Sequence, residues 1–280
     1  MQPKDLCSSM DLFLFCGDEH GMQLQLIKTF LTMTVISITK SEDVPLAPID
    51  GKPTLVYWNS AGWSNPIRLA LTVANVDFVD ARIEAGDPSD SASFKKAWMD
   101  AKHVLGSTGI LEFPNLPYYM EGDSVKLVQS EAIVRHVARK YNLYPTSMPE
   151  HRFMMLSEEI KDYDGYFILQ SYVGGPDVIS QFIKEGVPNK LAIWGKIAHD
   201  GNALIDGPDG KINILDIKLY CFLRKVKFAQ EELNIKPCAQ EGWVDAYMKL
   251  VEDVPEVKAY LDSDYLHRPL NNPHAKFASK

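Results

Sequence analysis

The chain reads as two structural classes in succession: a mixed α/β unit, then an all-helical one. Three observations predict this. Residues 54–57 and 78–83 are short apolar runs rich in β-formers, with a helical pattern between them. Residues 118–121 and 125–128 flank Gly122-Asp123-Ser124, the signature of a hairpin. Beyond Pro145 and Pro149 the apolar spacing is helical throughout. The order strand, helix, strand, hairpin, helix is a thioredoxin-like βαβ-ββα arrangement, in which helices cover a mixed sheet. The fold class is therefore α/β + all-α.

The elements follow in order. Residues 1–52 lack the pattern of the rest, and are expected to form an N-terminal extension without fixed structure. The longest uncharged apolar piece there, 29–38, is too short to span a bilayer. The extension has no arginine, unlike a mitochondrial presequence, although a targeting role and a structural appendage stay as alternatives. The α/β domain is expected at 53–141. Asn65-Pro66 reads as a helix start, continued by Ile67, Leu69, Ala70, Leu71 and Val73. The stretch 83–113 is long and weakly patterned, with a short helix predicted around Phe94, Ala97, Trp98 and Ala101. Ser130 is expected to cap a helix whose apolar face is Ala132, Ile133, Val137 and Ala138. Residues 142–150 are the linker, and 151–266 the helical domain. Within it, 177–200 is broken near Gly186-Val187-Pro188, and Asn213 with Asp216 makes a capping box. Residues 267–280 form a C-terminal tail.

Composition narrows the function classes. In 280 residues, a net charge of −8 argues against a nucleic-acid binder. Cys7, Cys16, Cys221 and Cys238 have no metal-type or Cys-x-x-Cys spacing, which predicts a reducing, cytoplasmic home and no disulfide framework.

The stretch Phe113-Pro114-Asn115-Leu116-Pro117-Tyr118 carries the first chemical signal. A cis Leu116–Pro117 step leaves the backbone of Leu116 outside the sheet and able to hold an extended peptide. Ser130, at a helix mouth, is placed to collect an anion. A strand-like clamp beside an anion site suits a small peptide with a free carboxylate.

Together with Tyr57-Trp58, Gly62, Pro66-Ile67-Arg68-Leu69, Trp98 with Lys102, Gln129-Ser130, Ala132-Ile133 and Ala138-Arg139-Lys140, these residues resemble a cytosolic glutathione transferase, closest to the mu class. The resemblance implies an enzyme that conjugates glutathione, as co-substrate and with no cofactor, to small hydrophobic electrophiles in detoxification. It makes Tyr57 the catalytic residue. A phenol hydroxyl donating to sulfur favours the thiolate of a thiol whose pKa is otherwise near ~8.5. Ser60 and Ser64 are rivals, since other classes use a serine in this loop. The glutathione contacts implied are Trp58, Trp63, Trp98, Lys102, Asn115, Leu116, Pro117, Gln129, Ser130 and Asp164, the last reaching across a dimer. Core packing for Trp98 and a solvated charge for Lys102 are the plain alternatives. Phe113 matches an aromatic key and Arg135 an interface arginine, so a symmetric homodimer is implied.

The sequence departs from the mu pattern in extra residues around 107–110, in Lys95 where an arginine is usual, and in the second tyrosine. Gly174 occupies that counted position, with Tyr172 two residues earlier. Two other functions stay open: a glutathione-dependent isomerase of lipid or prostanoid type, and a non-catalytic ligand-binding or structural protein on the same fold.

Overall fold

The structure is a computed structural model, and it describes residues 33–201, 204–205, 211–262 and 268–279. One five-stranded sheet organises the first half, in the order β1-β3-β2-β4-β5. Its strands are β1 (Thr34–Ile38), β2 (Thr54–Trp58), β3 (Val79–Ile83), β4 (Tyr118–Glu121) and β5 (Val125–Val128). β3 lies parallel between β1 and β2, whereas β4 runs antiparallel to both β2 and β5.

Three helices cover this sheet: α1 (Asn65–Val73), α2 (Lys96–Ser107) and α3 (Ser130–Lys140). Side chains alternate across a strand, and β2 shows the consequence. Val56 joins a core layer with Ala97, Trp98, Ala101 and Leu105 of α2. Leu55 joins the opposite layer with α1, α3 and the helical half. Tyr57, two residues on, shares the side of Leu55.

The extension corrects the expectation of disorder over 1–52, as far as residues 33–52 are concerned. Thr34–Ile38 is a strand in register with β3, Ile38 pairing with Ile83. Ile38 and Val44 are buried, and the Tyr118 hydroxyl donates to the Pro45 carbonyl at 2.7 Å. The physical reason is plain: a short β-branched run that cannot cross a bilayer is suited to an open parallel edge. Residues 1–32 lie outside the described residues, as do Cys7 and Cys16. Cys221 and Cys238 are free thiols.

The second half is built from α4 (Glu150–Val173), α5 (Pro176–Gln181), α6 (Val187–Ile197), α7 (Ile214–Glu232), α8 (Val244–Glu252) and α9 (Pro255–Leu261). Pro188, in the first turn of α6, has no N–H to give, and the backbone before it widens into a π turn at Phe182–Gly186. The capping box forms at α7: Asn213 Oδ1 accepts from Leu215 N at 2.8 Å, and Asp216 Oδ2 from Asn213 N at 3.0 Å. Among the described residues, no helix is long and apolar enough to cross a membrane.

Candidate active site

Tyr57, next to last in β2, has its side chain buried, 6% exposed, on the face turned to α1 and the helical half. Its hydroxyl oxygen accepts the backbone N–H of Trp63 at 3.3 Å. Burial pushes the phenol well above its usual range; the Trp63 N–H opposes this, while Tyr172 adds to the rise. Tyr57 is thus a neutral phenol at physiological pH, with its own proton available to donate. The Arg68 guanidinium lies 5.8 Å from the ring centroid.

The turn after β2 is held from several sides. Arg68 donates to the Ser60 carbonyl at 2.7 Å and to the Trp58 carbonyl at 3.3 Å. Its Nε meets Asp80 Oδ1 at 2.8 Å, and Arg82 Nε meets Oδ2 at 2.6 Å. The N–H groups of Ala61 and Gly62 donate to the carbonyls of Pro269 and Leu270, at 3.0 and 2.9 Å. Of the rival serines, Ser64 already spends its hydroxyl proton on the Ala61 carbonyl at 3.1 Å. Ser60 is buried.

Beside this turn a narrow cleft is lined by Trp63, Ser130, Glu131, Lys161, Asp164 and Lys218, among others. Lys218 is buried, and its ammonium donates to Glu131 Oε2, the Ser157 carbonyl and Ser157 Oγ at 2.6, 2.8 and 2.7 Å. All three of its donors are spent. Burial lowers its pKa, and Glu131 pulls the other way. Asp164 is also buried and pairs with Lys225 of α7 in the same chain. The tip of the Trp63 indole packs over Gly165 of α4. Trp58 is half-buried against the α2 layer.

The clamp has the expected backbone. The Leu116–Pro117 bond is cis, and Pro117 is buried ahead of β4. Leu116 N–H is not unpaired, however: the exposed Asn115 folds back and accepts it at 3.0 Å. The expected cap is displaced by one residue. Gln129 holds the cap position with φ +71°, and Ser130 is the first residue of α3, with no side-chain cap. A Ser130 inside the first turn still presents the N–H groups of a helix start.

Trp98 lies in the core layer of α2. It is 5% exposed and stacks on Tyr118 with centroids 6.2 Å apart. Lys102, one turn on, is exposed. Phe113 is 70% exposed, and Arg135 joins α3 to Glu158 of α4.

Of the two positions considered for a second tyrosine, Gly174 is packed tightly on Val178, with no room for a Cβ. Tyr172 stands close enough to Tyr57 to raise its pKa. Its hydroxyl oxygen accepts Asn272 N–H at 2.9 Å, and its ring lies 4.8 Å from that of His274. His274 in turn meets Lys95 Nζ at 3.1 Å and the edge of Phe94. The part played by residues 268–279 is the feature that sequence reading missed: the segment has no periodicity, and only Arg268-Pro269 hints at a fixed backbone.

Comparison with known proteins bears on this arrangement. The family "Glutathione S-transferase, N-terminal domain" matches residues 53–139. A glutathione S-transferase of Dermatophagoides pteronyssinus is 32% identical over 227 residues, 81% of this chain and 97% of that protein. The chain belongs to the glutathione S-transferase family. Human glutathione S-transferase Mu 3 is 27% identical over 233 residues, 81% of this chain and 95% of the relative. The structure of a Pi-class glutathione S-transferase from Onchocerca volvulus superposes with a TM-score of 0.62 at 26% identity, covering 80% and 99% of the two chains. As a glutathione S-transferase, the chain is a transferase that takes glutathione as substrate, on a thioredoxin-like domain followed by helices. The family match begins at residue 53, so β1 lies outside it.

Proposed function

We propose that this glutathione S-transferase conjugates the glutathione thiolate to small hydrophobic electrophiles, and that the Tyr57 hydroxyl stabilises the thiolate. The observation that carries the reading is the state of that phenol. It is buried and neutral, and its oxygen already accepts the Trp63 N–H, so the O–H proton is left for sulfur. Lowering a thiol pKa by roughly 2 units takes about 2.7 kcal/mol, and a charge-assisted hydrogen bond supplies roughly 1.5–3.

In the same reading, Ser130 and Gln129, with Trp63 and Asp164 nearby, take the γ-glutamyl end. Asn115, Leu116 and Pro117 hold the middle of the peptide. Lys102 and the Trp98 indole N–H serve the glycyl carboxylate, and Trp58 supports β2 at the site. Asp164, paired with Lys225 in its own chain, reaches across the dimer to the γ-glutamyl amine bound by the second subunit. An exposed Phe113 suits an anchor seated in a second subunit of a homodimer, with Arg135 at its border. A cytoplasmic, detoxifying role fits this chemistry.

Tyr57→Phe tests the reading, because it removes one oxygen and keeps the ring. The ultraviolet absorbance of the thiolate, followed against pH in the enzyme–glutathione complex, should show the bound thiol's pKa rising by about 1–2 units. Conjugation at pH values below the bound thiol's pKa should fall by roughly 10–100-fold, with glutathione affinity little changed. Identical titrations in wild type and variant would dismiss Tyr57 and make Ser60 the next residue to change.

A further inference from the structure

Residues 268–270 touch the turn that carries the Tyr57 site at two points, and a carboxylate of β3 that helps to hold it at a third. The first is Pro269 O, which accepts Ala61 N–H at 3.0 Å, and the second is Leu270 O, which accepts Gly62 N–H at 2.9 Å. The third is Arg268 Nη1, 3.5 Å from Oδ2 of the buried Asp80. Asp80 is the carboxylate that Arg68 grips while it holds the Trp58 and Ser60 carbonyls.

The segment is itself anchored away from the turn. Asn271 N–H donates to Ala278 O at 2.9 Å, closing residues 271–278 into a loop. Lys276 and Phe277 N–H groups donate to the Ser171 carbonyl of α4 at 2.9 and 3.1 Å. The Phe277 ring is buried edge-on against Phe167 of α4 and Phe228 of α7, with centroids 6.2 and 6.0 Å apart. A strap fixed to α4 and α7 thus supplies the acceptors that the Ala61 and Gly62 N–H groups would otherwise find in water.

We propose that this strap positions the site for thiolate formation, and that Arg268 is a positioning residue acting through Asp80 and Arg68. The inference rests on the reading of Tyr57 given above. By fixing residues 60–62, the strap fixes the Trp63 N–H that Tyr57 accepts, and so the direction in which the phenol proton points. Hydrogen-bond strength falls steeply with misalignment, so a loosened turn weakens the bond to sulfur without touching the groups that hold the peptide.

The test uses Arg268→Met and Arg268→Lys beside Tyr57→Phe in the full chain, reading thiolate absorbance against pH, glutathione affinity and melting temperature. For Arg268→Met, the bound thiol's pKa should rise by about 0.5–1 unit, a loss of thiolate of roughly 3–10-fold at pH values below the bound thiol's pKa. Glutathione Kd should change far less than the thiolate fraction. Arg268→Lys, which keeps the charge, should fall between wild type and Arg268→Met, and it carries the test if the methionine variant does not fold. If Tyr57→Phe shifts the titration and both Arg268 variants follow wild type, the strap inference alone is overturned, whatever the melting temperatures do. If Tyr57→Phe also follows wild type, the Tyr57 reading fails and takes the strap's role with it.

Discussion

The backbone N–H of Trp63 meets the hydroxyl oxygen of Tyr57 at 3.3 Å, and the chain reaches that position only by passing through Gly62. Gly62 has φ +40°, and a Cβ there would stand 2.5 Å from the Tyr57 oxygen and 2.7 Å from its ring. Both the backbone angle and the space exclude a side chain.

Gly62→Ala should therefore act on the reaction and on stability together. A left-handed alanine costs about 1–2 kcal/mol, and the methyl must push the phenol aside. Conjugation should fall by at least about tenfold, the size of a 1.4 kcal/mol loss of transition-state stabilisation. Steady-state kinetics and thermal melting check this, and wild-type kcat would contradict the described contact.

Lys218 lies under the cleft with its ammonium saturated by Glu131 and Ser157. Lys218→Met strands the Glu131 carboxylate and should destabilise the fold by about 3–5 kcal/mol, the usual result of breaking one side of a buried pair. Lys218→Met with Glu131→Gln should recover part of that loss. Denaturant unfolding of both single variants and the double variant decides; additive losses would mean that the pair is not coupled.

Removing residues 1–38 takes β1 from the sheet and exposes the β3 edge. Ile38 alone, 1% exposed, contributes about 1.5–3 kcal/mol by burial. At roughly 2–4 °C per kcal/mol for a chain of this size, the melting temperature should drop by about 5–10 °C. A truncated protein melting with the full chain would show the strand to be dispensable.

His274 gives a pH dependence of known sign. Partial desolvation of this largely exposed ring and the neighbouring Lys95 ammonium lower its pKa below 6.5, while the unfolded chain keeps the ordinary value. Its contribution to stability is complete above pH 6.5 and is lost as the pH falls through the lower, folded value. His274→Gln should flatten the melting-temperature profile in that window. A profile identical to wild type would remove His274 from the account.

The sequence already showed most elements, because they are short, strongly periodic and punctuated: Asn65-Pro66 opens α1, Asn213 with Asp216 opens α7, and Gly122-Asp123-Ser124 turns the hairpin. Tyr57 was legible as the end of an apolar strand before a glycine loop. The rest depended on contacts between distant residues. β1 lacks any local signal that it has a parallel partner at Val79–Ile83. Trp98 reads as a ligand group by its position, yet its environment is set by Tyr118. Nothing local to Asp164 signals that Lys225 meets it across a helix interface.

The strap also has a consequence for synthesis. Ala61 and Gly62 leave the ribosome long before Pro269 and Leu270, so their N–H groups have no protein acceptor while the helical half is being made. The sheet can close early, since the partners of β2 all precede residue 122. The turn beside Tyr57 has its Arg68 contacts early but waits for these two acceptors. In the proposed reading, a nascent or prematurely ended chain would therefore lack the last restraints on that turn, and full reactivity would arrive late in biogenesis, with the segment that begins at Arg268.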